Sequence, residues 1–101
     1  MSLAKEFVDN FIRSGTICVI SKTTCPYCIR VVEALKKAGY SPNVEQIDLR
    51  KDVAEVQAYC NDISGTRTVP KVFVFGKFIG GCDDTLKKLE DKSFEKLISS
   101  S

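Results

Sequence analysis

Two cysteines separated by two residues are the part of this sequence best suited to chemistry. They are Cys25 and Cys28 in the stretch "TTCPYC", with Pro26 and Tyr27 between them. Such a pair can be half of a metal site, a structural disulfide, or a thiol pair that exchanges with disulfides. The residues around the pair and the rest of the chain decide among these three roles.

The residues next to the pair favour thiol exchange. Pro26 suits the first position of a helix, where its missing N–H costs nothing. Cys25 then becomes the N-cap, so its sulfur faces the free amides and the positive end of the helix dipole, which favour a thiolate. Lys22 adds a positive charge nearby. Cys28 follows one turn later on the same face but deeper, so we expect Cys25 to attack and Cys28 to resolve.

The metal and structural-disulfide roles fit the sequence less well. A structural zinc site needs four ligands, whereas this chain has no histidine, no second pair of this spacing, and only single cysteines at Cys18, Cys60 and Cys82. We therefore expect no metal. The N-terminus "MSLAKEFVDNF" lacks the apolar core of a secretion signal, and five cysteines cannot all pair. We expect a reducing, cytoplasmic location, where permanent disulfides are rare.

The bulk composition excludes two classes of partner. Apolar residues make up 44% of the 101 residues, charged residues 28%, and the net charge is +2. This charge is too small and too evenly spread to predict binding to nucleic acid or to an anionic membrane. No apolar stretch approaches the length of a membrane span.

The elements that must position the pair follow from hydrophobic periodicity, which predicts the order α-β-α-β-α-β-β-α in a single domain, 1–101. We predict helices at 3–13, 26–38, 51–63 and from Asp83 onward, with "SFEKLI" adding a further turn, and strands at 16–21, 43–49, 71–75 and 77–81. The predicted apolar helix faces contain Leu3, Phe7, Phe11 and Ile12, then Ile29, Val32 and Leu35, then Val53, Val56, Cys60 and Ile63. Together these elements predict a mixed sheet covered by helices.

Three segments carry a family resemblance that spans residues 3 to 98. "KTTCPYC", "SGTRTVPKVFV" and "GGCDD" occur in this order, and the chain resembles a dithiol, CPYC-type glutaredoxin of the thioredoxin superfamily. Thioredoxins typically have Gly-Pro between the cysteines, and monothiol glutaredoxins lack the second one. The resemblance implies an α/β, thioredoxin-like fold with a central four-stranded mixed sheet flanked by helices. It also implies a glutathione-dependent thiol–disulfide oxidoreductase that acts on glutathione mixed disulfides and protein disulfides.

The resemblance also implies a glutathione site. Pro70 is expected to be cis, so that the backbone of Val69 faces Cys25 and pairs with the cysteinyl part of glutathione like one added strand. The expected site residues are Lys22, Tyr27, Gln57 and Arg67 for the glycyl carboxylate, Thr68, Val69 and Pro70 for the centre, and Gly81, Cys82 and Asp83 for the γ-glutamyl end. Taken singly, these residues also fit ordinary roles: Lys22 and Arg67 as solvated charges, Gln57 as a surface residue, Gly80-Gly81 as a turn, and Asp83 as an N-cap.

Two rival functions remain open at this stage. Some glutaredoxins hold an iron–sulfur cluster between two subunits, but cluster-binding members usually have Ser or Gly where this chain has Pro26. A thioredoxin-like reductase served by a flavoprotein is opposed by Tyr27. We expect a monomer whose partners are glutathione and glutathionylated or disulfide-containing proteins. Of the remaining cysteines, we expect Cys18 and Cys60 in the core and Cys82 to be accessible.

Overall fold

The computed structural model describes residues 2–99 of the 101 and shows a four-stranded mixed sheet with helices on both faces. The helices are α1 (Leu3–Phe11), α2 (Pro26–Lys37), α3 (Val53–Ser64), α4 (Cys82–Glu90) and α5 (Ser93–Ser99). The strands are β1 (Ile17–Ser21), β2 (Asn43–Gln46), β3 (Lys71–Val74) and β4 (Lys77–Gly80), and a 3-10 turn covers Ile47–Leu49. The predicted thioredoxin-like fold and the order of its elements are confirmed.

The strand order brings two loops that are distant in sequence to the same end of the two inner strands. Within the order β2-β1-β3-β4, β2 is parallel to β1, whereas β3 is antiparallel to β1 and to β4. Because β1 and β3 run in opposite directions, the end of β1 lies beside the start of β3, where Ile20 pairs with Lys71. The segment after β1 contains Cys25, and the segment before β3 contains Pro70. The sheet therefore places these two segments next to each other.

Two apolar clusters, one on each face of the sheet, hold the helices in place. One cluster joins α1 and α3 to the sheet and includes Val8, Val56 and Phe73. The other joins α2, α4 and α5 to the opposite face and includes Leu35 and Phe94. All five residues of β1 are buried, as expected for a central strand covered on both sides. Burial of these two faces is the main source of the fold's stability.

The predicted strand 43–49 was too long. The strand ends at Gln46, and Ile47–Leu49 forms the 3-10 turn. Ile47 is buried in the cluster beneath α1 and α3. Asp48 turns to accept hydrogen bonds from the backbone N–H and the hydroxyl of Thr23, at 3.0 and 2.5 Å. Because of these contacts the chain leaves the sheet after Gln46. The alternation of apolar residues in the sequence does not predict such contacts.

The predicted apolar faces of α1 and α2 were wrong in detail. In α1 the buried residues are Ala4 and Val8, and Leu3 is 80% exposed. In α2 the face formed by Cys28, Val31 and Leu35 is buried, and Ile29 is 55% exposed. With 3.6 residues per turn, neighbouring faces of a helix share residues, so periodicity alone does not show which face is buried. A small apolar side chain such as Ala4 can also pack against the sheet in place of a large one.

The ends of three helices also differ from the prediction. The first helix ends at Phe11, whereas the predicted helix ran to residue 13. In α3, Ile63 is exposed, although it was the last residue of the predicted apolar face. The fourth helix begins at Cys82, one residue before the predicted start at Asp83. The segment "SFEKLI" belongs to a separate helix, α5, because the chain turns at Lys92 with a positive φ of 67°.

Candidate active site

Cys25 is the N-cap of α2, as the sequence predicts. Its backbone is extended (φ −102°, ψ 107°), Pro26 follows in the first turn, and its Sγ accepts a hydrogen bond from the N–H of Cys28 at 3.1 Å. The sulfur therefore lies at the amino end of α2, beside the free amides of its first turn and the positive end of the helix dipole. Cys25 is partly exposed, so an incoming disulfide can reach this sulfur.

Cys28 has the same side chain in a different environment. It is 1% exposed and belongs to the buried face of α2. Burial, and after it the hydrogen bond with Cys25, raises the pKa of the Cys28 thiol to about 11. At neutral pH Cys28 is therefore a thiol. All five cysteines are free thiols in the structure.

The segment before β3 forms the wall opposite Cys25. The Val69-Pro70 peptide bond is cis, as expected from the resemblance, and Pro70 is buried. The Cys25 Sγ lies 3.7 Å from the carbonyl oxygen of Val69, to which a protonated thiol donates. The backbone of Val69 therefore faces the sulfur at which exchange would occur.

A groove of about 560 Å³ runs along this wall to the start of α4. Seven of the predicted site residues line it: Tyr27, Thr68, Val69, Pro70, Gly81, Cys82 and Asp83. Four further residues line it that we did not predict as site residues: Arg30, Thr66, Phe78 and Asp84. Arg30 could have been found, because it lies three residues after Tyr27 and therefore on the same side of α2.

The far end of the groove is the amino end of α4. Gly81 is the N-cap of this helix and has no side chain to satisfy the first amides. Asp83 is the second residue of the helix, so the alternative role of Asp83 as the N-cap is wrong. Free amides and the positive end of a helix dipole suit a carboxylate, and the Asp83 carboxylate suits an ammonium group.

Gly80 and Gly81 are more than a flexible turn. Gly80 has a φ of 140°, a conformation that residues with a Cβ rarely adopt, and a Cβ there would collide with the side chain of Asp84. A Cβ on Gly81 would lie 3.3 Å from the carbonyl oxygen of Pro70. The two glycines therefore allow α4 to approach the wall of the groove closely.

Lys22 and Gln57 meet in a neighbouring depression of about 480 Å³ against α3. The Lys22 Nζ donates to the Gln57 Oε1 at 2.7 Å, although 35 residues separate them along the chain. Lys22 is therefore held in place on the Cys25 side of α3. Arg67 is an exposed side chain of the loop between α3 and β3. Of the predicted site residues, Lys22, Gln57 and Arg67 therefore do not line the 560 Å³ groove.

Asp48 anchors the segment that leads into Cys25, a role that the sequence did not reveal. Both carboxylate oxygens of Asp48 accept hydrogen bonds from Thr23, and these bonds hold the pKa of Asp48 below its ordinary value. A signal was available, since Thr23 follows β1, Asp48 follows β2, and these two strands are parallel. Parallel strands end at the same edge of a sheet, so residues that follow them lie close together.

The other three cysteines are all buried. Cys18 and Cys60 have no exposed surface, as predicted, and burial raises the pKa of Cys60 to about 11. The expectation that Cys82 is accessible was wrong. Cys82 is 7% exposed because it belongs to the apolar cluster that contains Val31 and Leu35 of α2, and burial raises the pKa of its thiol.

Within residues 2–99, no group of three or more His, Cys, Asp or Glu side chains is arranged to hold a metal ion. None of the helices in this described range is both long and apolar enough to cross a membrane.

Comparison with known proteins decides the family. The sequence model of the glutaredoxin family matches residues 17–79, which include Cys25, Cys28 and the cis proline. The chain belongs to the glutaredoxin family. This glutaredoxin is accordingly an enzyme, a thiol–disulfide oxidoreductase, and its paired thiols make it a dithiol member.

Plant glutaredoxins are among its similar sequences. Glutaredoxin-C2 of Arabidopsis thaliana is 38% identical over 99 residues, which cover 98% of this chain and 86% of the relative. Monothiol glutaredoxin-S6 of Oryza sativa subsp. japonica is 39% identical over 95 residues, covering 94% and 72% of the two chains. This glutaredoxin has both Cys25 and Cys28, so its similarity to a monothiol relative does not extend to the number of thiols in this pair.

Solved structures of plant glutaredoxins share its fold. The holo form of glutaredoxin C1 from Populus tremula x tremuloides superposes with a TM-score of 0.91 at 33% identity, with 98% of each chain covered. A buckwheat glutaredoxin–glutathione complex also has a TM-score of 0.91 at 33% identity, with 97% of this chain and 89% of that chain covered.

Proposed function

We propose that this glutaredoxin uses glutathione to reduce two kinds of disulfide. It reduces glutathione mixed disulfides through Cys25 alone, and it reduces protein disulfides through Cys25 with Cys28 as the resolving thiol. The observation that carries the proposal is the position of the Cys25 Sγ. It accepts from the Cys28 amide at 3.1 Å and lies 3.7 Å from the Val69 carbonyl, beside the groove. The buckwheat relative solved with glutathione supports glutathione as the ligand.

The first half of the reaction removes glutathione from a substrate. The Cys25 thiolate attacks the glutathione sulfur, the substrate–glutathione S–S bond breaks, and the substrate leaves as a thiolate that takes a proton from water. A Cys25–glutathione disulfide remains. Hydrogen bonding from the helix amide also makes Cys25 a good leaving group for the second half. A second glutathione thiolate then attacks the glutathione sulfur of this disulfide, giving oxidised glutathione and the Cys25 thiolate.

The proposed pose of glutathione follows the groove. Its cysteinyl part pairs with the backbone of Val69 like one added strand, beside Thr68 and Pro70. Its γ-glutamyl carboxylate faces the free amides of α4 at Gly81 and Cys82, and its ammonium group faces Asp83. Its glycyl carboxylate points toward the basic side, where the predicted partners are Lys22, Tyr27, Gln57 and Arg67.

Protein disulfides require the second thiol. Cys25 attacks one sulfur of the substrate disulfide and forms a mixed disulfide with the substrate. Cys28 then attacks Cys25, the substrate leaves with both of its thiols, and the enzyme holds a Cys25–Cys28 disulfide. Two glutathione molecules restore the dithiol and become one molecule of oxidised glutathione. We propose that a monomer does this in the cytoplasm, where the five free thiols would stay reduced.

The test uses two serine variants and two substrates. Cys25→Ser should lose both activities, because serine supplies no attacking sulfur. Cys28→Ser should keep the reduction of a small glutathione mixed disulfide and lose most reduction of a protein disulfide. Both rates are measured with glutathione, glutathione reductase and NADPH.

Two results would contradict the proposal. If the unaltered protein did not turn over the small mixed disulfide, glutathione would not be its reductant. If Cys28→Ser removed both activities equally, glutathione alone would not resolve the Cys25 intermediate.

A further inference from the structure

Lys71 is a basic residue buried inside the sheet. It is the first residue of β3, directly after Pro70, and it is 1% exposed. Its aliphatic chain points to the face of the sheet that carries α3, where Phe78 lies with its ring centre 6.0 Å from the Lys71 Nζ. A buried ammonium group costs stability unless all of its hydrogen bonds are made, so its partners show what holds it there.

The partners of Lys71 are three neutral oxygens in one short segment. Its Nζ donates to the Thr66 carbonyl at 2.7 Å, to the Thr66 hydroxyl at 2.9 Å and to the Ser64 hydroxyl at 2.9 Å. An ammonium group has three donors, so all of them are used here. None of these acceptors carries a charge that would offset the cost of burying the ammonium. The contacts instead connect the sheet to the end of α3 and the loop after it.

That loop forms part of the groove. Residues 65–68 are exposed, and Gly65 begins the loop with a φ of 73°. Thr66 and Thr68 line the groove, and Val69 follows them beside Cys25. Thr66 is also held by the Ser64 hydroxyl at 3.3 Å and, with the Asn61 side-chain amide in the orientation that satisfies both of its ends, by Asn61 at 3.0 Å. Both contacts are longer than those from Lys71, at 2.7 and 2.9 Å. Lys71 is therefore the strongest anchor of an exposed segment that reaches the reactive sulfur.

We propose that Lys71 is a positioning residue for the glutathione site. By holding Thr66 against the sheet, it fixes the loop so that Thr68 and the backbone of Val69 face the groove in the orientation that glutathione needs. The inference rests on the proposed function, since it concerns the same groove. It adds that recognition of glutathione depends on a buried residue that does not touch the ligand.

The experiment compares two disulfides on the same enzyme. The first is a small glutathione mixed disulfide, whose glutathione moiety occupies the groove. The second is bis(2-hydroxyethyl) disulfide added without glutathione. It needs only the two thiols and yields the Cys25–Cys28 disulfide and two molecules of 2-mercaptoethanol. The second-order rate constants for the two disulfides are measured under single-turnover conditions.

Lys71→Met keeps the aliphatic chain and removes the ammonium group. We expect the rate constant for the glutathione mixed disulfide to fall by roughly tenfold, the factor that one charge-assisted hydrogen bond is worth. The rate constant for bis(2-hydroxyethyl) disulfide should stay within about twofold, because the Cys28 amide of α2 still holds the Cys25 Sγ and this small disulfide does not occupy the glutathione groove. The matched control is Val74→Ala on the same strand, which removes buried volume without touching Ser64 or Thr66. It should leave the ratio of the two rate constants unchanged.

Ser64→Ala gives a second test that does not alter the buried lysine. It removes one of the three acceptors of Lys71 and the longer, direct contacts of Ser64 with Thr66, but leaves both Lys71 contacts with Thr66. The glutathione mixed disulfide should therefore react more slowly than with the unaltered protein but faster than with Lys71→Met. If Lys71→Met did not fold, Ser64→Ala would decide the question by the same ratio. An unchanged ratio in Ser64→Ala would then overturn the inference.

The possible failures are distinguishable. Equal slowing of both disulfides by Lys71→Met, or no slowing of either, would overturn the positioning role while the proposed function stood. Failure of the unaltered protein to react with the glutathione mixed disulfide would instead overturn the proposed function.

Discussion

At the scale of the residue, the two cysteines of the pair differ in their expected reactivity because their environments differ. Cys25 is partly exposed and accepts a hydrogen bond from a helix amide, whereas Cys28 is buried and has a pKa of about 11. The pair therefore consists of one accessible sulfur suited to attack and one buried sulfur that stays protonated at neutral pH. This asymmetry leads to a prediction about pH.

The resolving step should accelerate with pH well beyond the range of an ordinary thiol. The pKa of Cys28 is raised, so its thiolate is scarce at pH 7 and should increase about tenfold for each pH unit until the pH nears 11. We expect the same slope for release of a peptide thiol from its mixed disulfide with Cys25. Burial is the main cause of the raised pKa and does not depend on the Cys25 thiol, so we expect the pKa to stay raised in the mixed disulfide.

The control for the resolving step is the Cys28→Ser variant reduced by added glutathione. Its rate should level off near the ordinary thiol pKa of roughly 8.5, because the attacking thiol is then in solution. If the intramolecular step also levelled off near that pH, the buried Cys28 thiol would not be the group that limits it.

Asp83 is predicted to bind the ammonium group of glutathione. Asp83→Ala should lower the apparent affinity for glutathione by roughly tenfold, the value of about one charge-assisted hydrogen bond. With a glutathione analogue that lacks the amino group, Asp83→Ala should cost little. The measurement is the dependence of turnover on the concentration of each thiol. An equal cost with both thiols would mean that Asp83 acts through α4 and not through the ligand.

At the scale of the element, the groove depends on how closely α4 approaches the segment before β3. That approach is set by Gly80 and Gly81, which leave room for Asp84 and for the carbonyl oxygen of Pro70. A second element, the 3-10 turn at Ile47–Leu49, fixes the other side of the site through Asp48 and Thr23. The short connections around the sheet thus position the groove and the segment before Cys25 as much as the helices do.

Gly80→Ala should distort the groove as well as destabilise the fold. The φ of 140° makes alanine unfavourable by about 1 to 3 kcal/mol. The collision with Asp84 adds a further cost of roughly 1 to 3 kcal/mol and moves the start of α4. Chemical denaturation measures the loss of stability, and turnover of a glutathione mixed disulfide should also fall.

Gly39→Ala is the matched control for this change. Gly39 also has a positive φ, 96°, but nothing lies within 4 Å of a Cβ built there. It should cost only the backbone term of about 1 to 3 kcal/mol and leave turnover unchanged. If the two variants lost the same stability and kept the same turnover, the close approach of α4 would have no role in the site.

At the scale of the whole molecule, the last helix packs in the same apolar cluster as the central strand β1. Phe94 of α5 is fully buried in the cluster that contains Val19 of β1, and its ring meets that of Tyr40 edge-on at 5.1 Å. We propose that the chain therefore unfolds as one cooperative unit, consistent with the predicted single domain.

Phe94→Ala tests this cooperativity. It should lower the free energy of unfolding by about 3 to 5 kcal/mol and the thermal midpoint by roughly 15 °C or more, still in one transition. Phe75→Ala, at a side chain that is 45% exposed, should change the free energy by less than about 1 kcal/mol. Far-UV circular dichroism follows both. Loss of α5 in a separate early transition would mean that it is an independent unit.

Much of the fold could be predicted because its signals are local. The helix start at Pro26, the hairpin around Gly76 and the apolar run of β1 each depend on a few neighbouring residues, and the structure has all three. The faces of α1 and α2 could not be predicted in the same way. Overlapping apolar stripes such as those with Ile29 and Val31 are separated only by the sheet against which the helix packs.

The sequence by itself determined the reactive pair, the family and the order of the elements, because spacing and residue type suffice for each of them. Only the tertiary structure decided which groups surround the pair. Pairing of β1 with β3 brings Val69 to Cys25, packing of α4 against α2 buries Cys82, and the buried ammonium group of Lys71 meets Thr66. These are contacts between residues distant in sequence or environments created by burial, and both come into existence only when the sheet and its two apolar faces assemble.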